Sequence, residues 1–550
     1  MLKLSRKQLI VLAGLALVNL LVITVMGVVI LRSLNADPLP PSPQVRATGV
    51  PPTSTPRPLP PTWTPEPTPT PFGMETLYAF VPEPCPFEVP EGVQVECGVV
   101  GVPETRRETP EGLVRLSVAI YHSHSSAPAE DPVVFLNGGP GSGAVDLLSQ
   151  VYMEFILPLL ASRDVVVFDQ RGTGFSEPDL NCPEFSQVIK EDLEKTFSLE
   201  RQAEEYSEAL RRCRTRLANQ GVNVAAYTSA ENAADVKDLI QVLGYEQANL
   251  YGASYGTRLA LTVMRDHPEV VRSVVLDGVE PVEVLLFNDH GVRMDRLLQK
   301  LFAGCAADRA CRAAYPNLER TYTATVARLD EEPVEIWTKS IGHKSYHMRI
   351  DGGWVDGAVF NGAYQTEMIR YFPYMLEQTY DGDYELLSWM LGGVGREADL
   401  SIGMYFSVNC HEEVFATTPE ELAADFAAYP NVERFAKRSI YGRPETLFTL
   451  CEVWGAAPFD PREGMPVESD IPALILVGEY DPITPPAYAR QVADRLSASY
   501  FYEFPGQGHV VGVWQSFCAG RVVRSFLEDP AVEPDAGCIT EMGGPDFFIP

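Results

Sequence analysis

The chain has 550 residues, 45 % of them apolar and 21 % charged, and its formal net charge is −31. That composition is globular, and the length suits one large domain or a domain carrying an insertion. So acidic a surface repels nucleic acid and gains nothing from anionic lipid; its first effect is solubility.

The N-terminus differs in kind from the rest. Leu9 to Leu31 is apolar apart from Asn19, Thr24 and small residues. At ~1.5 Å per residue it reaches roughly 34 Å, enough for a bilayer core of about 30 Å. Lys3, Arg6 and Lys7 precede it and Arg32 follows, so the positive-inside rule leaves the N-terminus in the cytoplasm and the bulk of the chain outside. A cleaved signal peptide is the rival; its apolar stretch would be shorter and would end at a small-x-small site, for which Leu34-Asn35-Ala36 is poor. The expectation is an uncleaved anchor over residues 1–34 of a single-pass cell-membrane protein, with residues 9–31 in the lipid bilayer. Residues 35–76 are rich in Pro, Thr and Ser ("PPTSTPRPLPPTWTPEPTPTP") and cannot bury a core, so they read as a stalk.

Ten cysteines follow the stalk in neighbouring pairs: Cys85 and Cys97, Cys182 and Cys213, Cys305 and Cys311, Cys410 and Cys451, Cys518 and Cys538. An extracytoplasmic domain can keep disulfides, and sequential pairing is the expectation. Zinc-type CxxC spacing does not occur, and no metal is expected.

Short β-rich runs then recur at Val114–Tyr121, Pro132–Leu136, Asp164–Phe168, Ala248–Tyr251, Arg272–Leu276, Pro472–Val477 and Ser499–Phe504. "VVVF" and "LILV" are continuously apolar, as in strands buried on both faces of a parallel sheet. Between them lie helical patterns. Asn232 to Leu243 puts Ala233, Val236, Leu239, Ile240 and Leu243 on one face, with Gly244 as its stop. Such alternation predicts a mostly parallel, doubly wound α/β sheet. It lapses over 283–468, where aromatics and helix-like runs dominate, and resumes at Ile471. The expected layout is a core in two parts, 77–282 and 469–550, with 283–468 inserted as a cap.

"GASYG" (252–256) places Ser254 between two glycines, where a strand gives way to a helix. GxSxG alone is weak, since chance supplies roughly 0.2 matches in a chain this long. In a nucleophile elbow, however, the serine sits at a strand-to-helix turn whose glycines admit close backbone approach. Serine also needs a base, and the chain order for such a site is Ser, acid, His. Asp481 follows the buried strand of "ILVGEYDPITP", and His509 follows the strand of "FYEFPGQGHVV". In this arrangement His509 takes and returns the serine proton, and Asp481 fixes its tautomer. Asp277 in "VVLDGVE" also ends a strand and is a rival acid; Asp481 has the better place in the order. The glycine loop "FLNGGPGSG" lacks the GK[ST] of a phosphate loop, and the N–H groups of Gly139 and Tyr255 are the expected oxyanion donors. Asp169 and Arg171 in "FDQRGTGFSEP" read as braces for the surrounding loops. "CHEEV" (410–414) does not complete HExxH.

Together "NGGPGSG" (137–143), "DQRGTGFS" (169–176), "GASYGTRLA" (252–260), "LDGV" (276–279), "LILVGEYDPITP" (474–485) and "GQGHVV" (506–511) resemble the α/β-hydrolase serine peptidases, in the branch of prolyl and tripeptidyl aminopeptidases with a TAP-like C-terminal region. The likeness spans roughly Tyr78 to Cys538 and extends to the late Cys518 and Cys538; Asn137 replaces the histidine usual at the head of the glycine loop. It implies an α/β-hydrolase fold with a largely helical cap, no cofactor, and an exopeptidase that frees short pieces from peptides with a free N-terminus. It also implies acidic cap residues that seat the substrate ammonium, for which Glu412 and Glu413 are the candidates. A carboxylic-ester hydrolase on the same fold, or a non-catalytic hydrolase-like binding domain, are the alternatives.

Overall fold

The computed structural model describes residues 76–550 except 90–91, 107–110, 340–344, 394–399, 435–441 and 515–516. The expected membrane span at 9–31 and the stalk before Thr76 lie outside the described residues; among those described, no helix is long and apolar enough to cross a membrane.

Eleven strands are present among these residues: β1 (Phe80–Pro82), β2 (Val95–Thr105), β3 (Glu111–Tyr121), β4 (Val133–Leu136), β5 (Val165–Phe168), β6 (Ala248–Ala253), β7 (Val271–Asp277), β8 (Val334–Trp337), β9 (His347–Ile350), β10 (Ala473–Gly478) and β11 (Ser499–Phe504). Nine of them form one sheet in the order β1-β2-β3-β5-β4-β6-β7-β10-β11. The first three strands and β5 pair antiparallel, whereas β5 to β11 run parallel along the sheet. Every residue of β4, β5 and β10 is buried, because helices cover both faces. Side chains alternate between two cores. Val134, Leu136, Val166 and Leu250 enter one; Val133, Phe135, Val167 and Tyr251 enter the other.

β1 and β2 are absent from the runs that periodicity singles out. Gly98, Gly101 and Pro103 punctuate β2 as a loop would be punctuated, yet pairing with β3 and burial of its second half hold it extended. The helix ahead of β6 runs Ser229–Val242, three residues earlier than its apolar stripe suggests. The Thr228 side chain accepts the Glu231 N–H and so moves the start upstream.

Between β7 and β10 the chain forms helices including His290–Ala307, Leu318–Glu331, Gly352–Gly362, Phe372–Tyr380, Ile402–Glu412 and Pro444–Trp454. The hairpin β8–β9 interrupts them. One apolar cluster gathers Leu297, Leu329, Val359 and Phe372 within this segment. A second joins Phe406, Leu450 and Trp454 to Leu180, Phe185 and Leu210, so the helices Pro183–Lys195 and Leu199–Asn219 that precede β6 pack with the inserted segment. All ten cysteines are paired, each with its neighbour in sequence. β4, β6, β7, β10 and β11 stand in a row with their C-terminal ends together, and their five following loops share one edge of the sheet.

Candidate active site

Ser254 leaves β6 at φ 57° and ψ −126°, a backbone that non-glycine residues adopt only where surrounding bonds enforce it. Its N–H donates to the Asp277 carbonyl (2.9 Å) at the end of β7, and its carbonyl accepts from the Thr257 hydroxyl (2.7 Å). The flanking glycines make the turn possible. A Cβ on Gly252 would lie 2.4 Å from the Gly256 carbonyl oxygen, and one on Gly256 would lie 1.9 Å from that of Leu136. Tyr255 opens the helix Tyr255–Asp266, where the first N–H groups have no intrahelical acceptor and carry the positive end of the dipole.

The glycine loop after β4 presses on this turn. A Cβ on Gly138 would stand 2.8 Å from the Ser254 Cβ. The Asp169 carboxylate braces the loop from β5, accepting the N–H groups of Ala144 (2.6 Å), Val145 (2.9 Å) and Phe175 (2.7 Å). Arg171 braces a different place: its guanidinium pairs with Asp235 (2.7 Å) and donates to the carbonyls of Pro103, Glu104 and Ala226. From the inserted segment, the Ser401 N–H donates to the Gly141 carbonyl (2.8 Å).

Asp481 and His509 occupy the loops after β10 and β11. His509 Nδ1 lies 2.7 Å from Asp481 Oδ2, and both residues are buried. Asp481 Oδ1 accepts the N–H groups of Ile483 (2.9 Å) and Thr484 (2.8 Å), which leaves Oδ2 aimed at the ring. The Thr484 hydroxyl completes the arrangement, 2.8 Å from Asp481 Oδ2 and 3.2 Å from His509 Nδ1. Burial would raise the Asp481 carboxyl, but the His509 charge and these donors hold it below 3.8. Burial would likewise lower His509, and the Asp481 carboxylate instead raises it above 6.5. A Cβ on Gly278 would stand 3.1 Å from His509 Cε1, so the end of β7 touches both the Ser254 turn and the imidazole. Tyr364 of the inserted segment sets its ring edge-on to His509 at 5.1 Å between centroids.

The rival acid Asp277 is engaged elsewhere. Its carboxylate accepts from Val511 N–H (2.8 Å), Gly512 N–H (2.7 Å) and the Tyr251 hydroxyl (2.8 Å). Glu412 and Glu413 are buried around Arg258, four residues beyond Ser254. Glu412 also accepts from Ser229 N–H (2.8 Å) and the Ser229 hydroxyl (2.9 Å). Glu280, which sequence order did not single out, lies 3.4 Å from the same guanidinium, and its charge contributes to raising His509. Three carboxylates thus share one cation, and burial, with Arg258 opposing, pushes the Glu413 carboxyl up to about 8. His411 of the "CHEEV" stretch bonds through its two ring nitrogens to the Ala457 carbonyl and to Glu463. Among the described residues no cluster of three His, Cys, Asp or Glu is arranged to hold a metal ion.

Two family models match the chain: alpha/beta hydrolase fold over residues 131–355 and TAP-like protein over residues 442–538. The putative hydrolase YuaR of Escherichia coli K12 is 23 % identical over 471 residues, covering 80 % of this chain and 87 % of its own. Serine protease Hip1 of Mycobacterium tuberculosis H37Rv is 23 % identical over 465 residues, covering 78 % and 84 %. Proline iminopeptidase of Neisseria meningitidis serogroup B is 27 % identical over 317 residues, covering 52 % and 84 %.

Proposed function

We propose that this chain, which matches the alpha/beta hydrolase and TAP-like family models and is similar to serine protease Hip1 and a proline iminopeptidase, is an aminopeptidase that releases short N-terminal pieces from peptides. The observation that carries the reading is the buried Asp481–His509 pair, lodged in two loops beside the strained Ser254 turn. In the first half of the reaction His509 removes the Ser254 hydroxyl proton as the oxygen attacks the scissile carbonyl carbon. The negative charge forms on the carbonyl oxygen against the N–H groups of Gly139 and Tyr255. Collapse breaks the C–N bond, the proton on His509 passes to the departing amine, and an acyl-Ser254 ester remains. Water, deprotonated by His509, then attacks that ester; the bond from the acyl carbon to the Ser254 oxygen breaks, His509 returns the proton to that oxygen, and the short N-terminal piece is freed as its carboxylic acid.

A free N-terminus suits the charge around Arg258. Glu280, Glu412 and Glu413 face the single guanidinium of Arg258, and burial keeps Glu413 protonated up to about 8; an incoming ammonium would favour its ionised form. Glu412 is committed to Ser229 and Arg258, so Glu280 and Glu413 are the better seat. In this reading residues 283–468 form the cap over a core of 77–282 and 469–550. The anchor at 9–31 and the stalk at 35–76 hold the enzyme at the outer face of the cell membrane. Five disulfides among the described residues suit such an oxidising compartment.

The test compares chromogenic peptide amides with free and N-acetylated termini, beside Ser254→Ala. Cleavage of the free-amine series alone, abolished by the substitution, is expected. Hydrolysis of short acyl esters with every peptide left intact would make the chain an esterase.

A further inference from the structure

We propose that Asp277 is a positioning residue that ties the nucleophile turn to the histidine turn and holds the His509 imidazole over Ser254. The proposal rests on the serine-peptidase reading of Ser254 and His509. Four hydrogen bonds converge on this one buried residue. Its carbonyl accepts the Ser254 N–H (2.9 Å), and its carboxylate accepts Val511 N–H (2.8 Å), Gly512 N–H (2.7 Å) and the Tyr251 hydroxyl (2.8 Å). The main chain of one residue therefore anchors the nucleophile, and its side chain anchors the residues just after the base.

The second anchor has something to restrain. Val510, between His509 and Val511, has φ +58°. A β-branched residue pays for that conformation, because its Cβ crowds the backbone there. Relaxation of Val510 would swing the adjoining imidazole, and the two N–H bonds to Asp277 oppose that movement. The fit behind them is tight: a Cβ on Gly512 would lie 2.2 Å from the Tyr251 hydroxyl and 3.0 Å from Asp277 Oδ2. Tyr251 in turn fixes the carboxylate from β6, the strand that delivers Ser254. Asp481 supplies the contact to the ring itself, so the two acids that end neighbouring strands divide the work: one orients the ring, the other its backbone.

Charge adds a second effect. The acidic groups that raise His509 are Asp481 after β10, Asp277 at the end of β7 and Glu280 just beyond it. Without the Asp277 charge, the imidazolium is less favoured and His509 loses its proton at lower pH.

The experiment follows phosphonylation of the full-length chain by a fluorophosphonate probe, as a rate against pH, for wild type, Asp277→Asn, Asp277→Asn/Val510→Gly and Ser254→Ala. Asp277→Asn is expected to label about tenfold more slowly or worse. Its acid limb should move to lower pH, and glycine at position 510 should recover part of the rate. On peptide substrates the loss should fall on kcat rather than KM. Wild-type rate and limb in Asp277→Asn would overturn the proposal; so would a slower rate with an unmoved limb and no recovery by Val510→Gly. Should Asp277→Asn fail to fold, Tyr251→Phe serves, with a severalfold slower rate expected and an unchanged rate contradicting the proposal. Labelling that persists in Ser254→Ala would instead sink the serine-peptidase reading, and so separates the two failures.

Discussion

His509 Nδ1 lies 2.7 Å from Asp481 Oδ2, with the carboxylate sealed from solvent. Replacing Asp481 by Asn keeps the shape but presents an amide where the ring needs an acceptor. The wrong tautomer then faces Ser254, and kcat should fall by about 10³- to 10⁴-fold with KM little changed, as steady-state kinetics would show.

On the proposed mechanism the same pair sets the pH dependence. His509 acts as a base only when neutral, and its value is raised above 6.5, so kcat/KM should rise with pH through a midpoint above 6.5. For stability, the raised histidine contributes fully below 6.5, and that contribution is lost as pH rises through its folded value. The depressed Asp481 contributes above 3.8, and that contribution is lost as pH falls through its lower folded value. Between 3.8 and 6.5 both are present. Thermal unfolding scans of wild type and Asp481→Asn should diverge most in that window.

Gly138→Ala tests the glycine loop. The new Cβ would stand 2.8 Å from the Ser254 Cβ and 2.9 Å from the Ala253 carbonyl oxygen, so the loop must retreat from the nucleophile. A displacement on that scale should cost about 10²-fold in kcat/KM, while the melting temperature changes little.

The acidic cluster should betray itself in stability at alkaline pH. Burial pushes Glu413 from 4.5 up to about 8, so ionising it opposes folding progressively across that interval. Wild type should therefore lose more melting temperature between pH 6 and 9 than Glu413→Gln. Removing the cation is the harsher change. Arg258→Met leaves buried carboxylates without their partner and should cost about 3–5 kcal/mol in urea unfolding.

Cys410 and Cys451 close a sequence separation of 41 residues and hold the helix that carries Glu412. A Cys410→Ser/Cys451→Ser variant should lose about 2–4 kcal/mol in guanidinium unfolding. If Glu413, the residue that caps this helix, seats the substrate ammonium as proposed, the KM for free-amine peptides should rise as the helix end loosens.

The strands at the sheet centre were legible because VVFL, VVVF and LILV are apolar throughout. The order of Ser254, Asp481 and His509 was legible, each just beyond a strand, although only the strand before Asp481 is apolar throughout. What stayed hidden depends on side chains meeting across the sequence. Asp277 grips Val511, 234 residues away, and spacing carries no trace of that. Arg258 sits in plain view after GASYG, yet its three acidic partners come from positions 280, 412 and 413. Thr484 had a faint signal, three residues after Asp481, where an aspartate and a following hydroxyl often share a turn. Glycines and a proline inside β2 disguised a long paired strand.

The most direct measurement of the central claim is mass spectrometry of the products from one unstructured peptide, supplied with a free or an acetylated N-terminus. The account predicts short N-terminal pieces from the free peptide, none from the acetylated one, and none from either with Ser254→Ala. Equal cleavage of both peptides, or cleavage that survives Ser254→Ala, would contradict it.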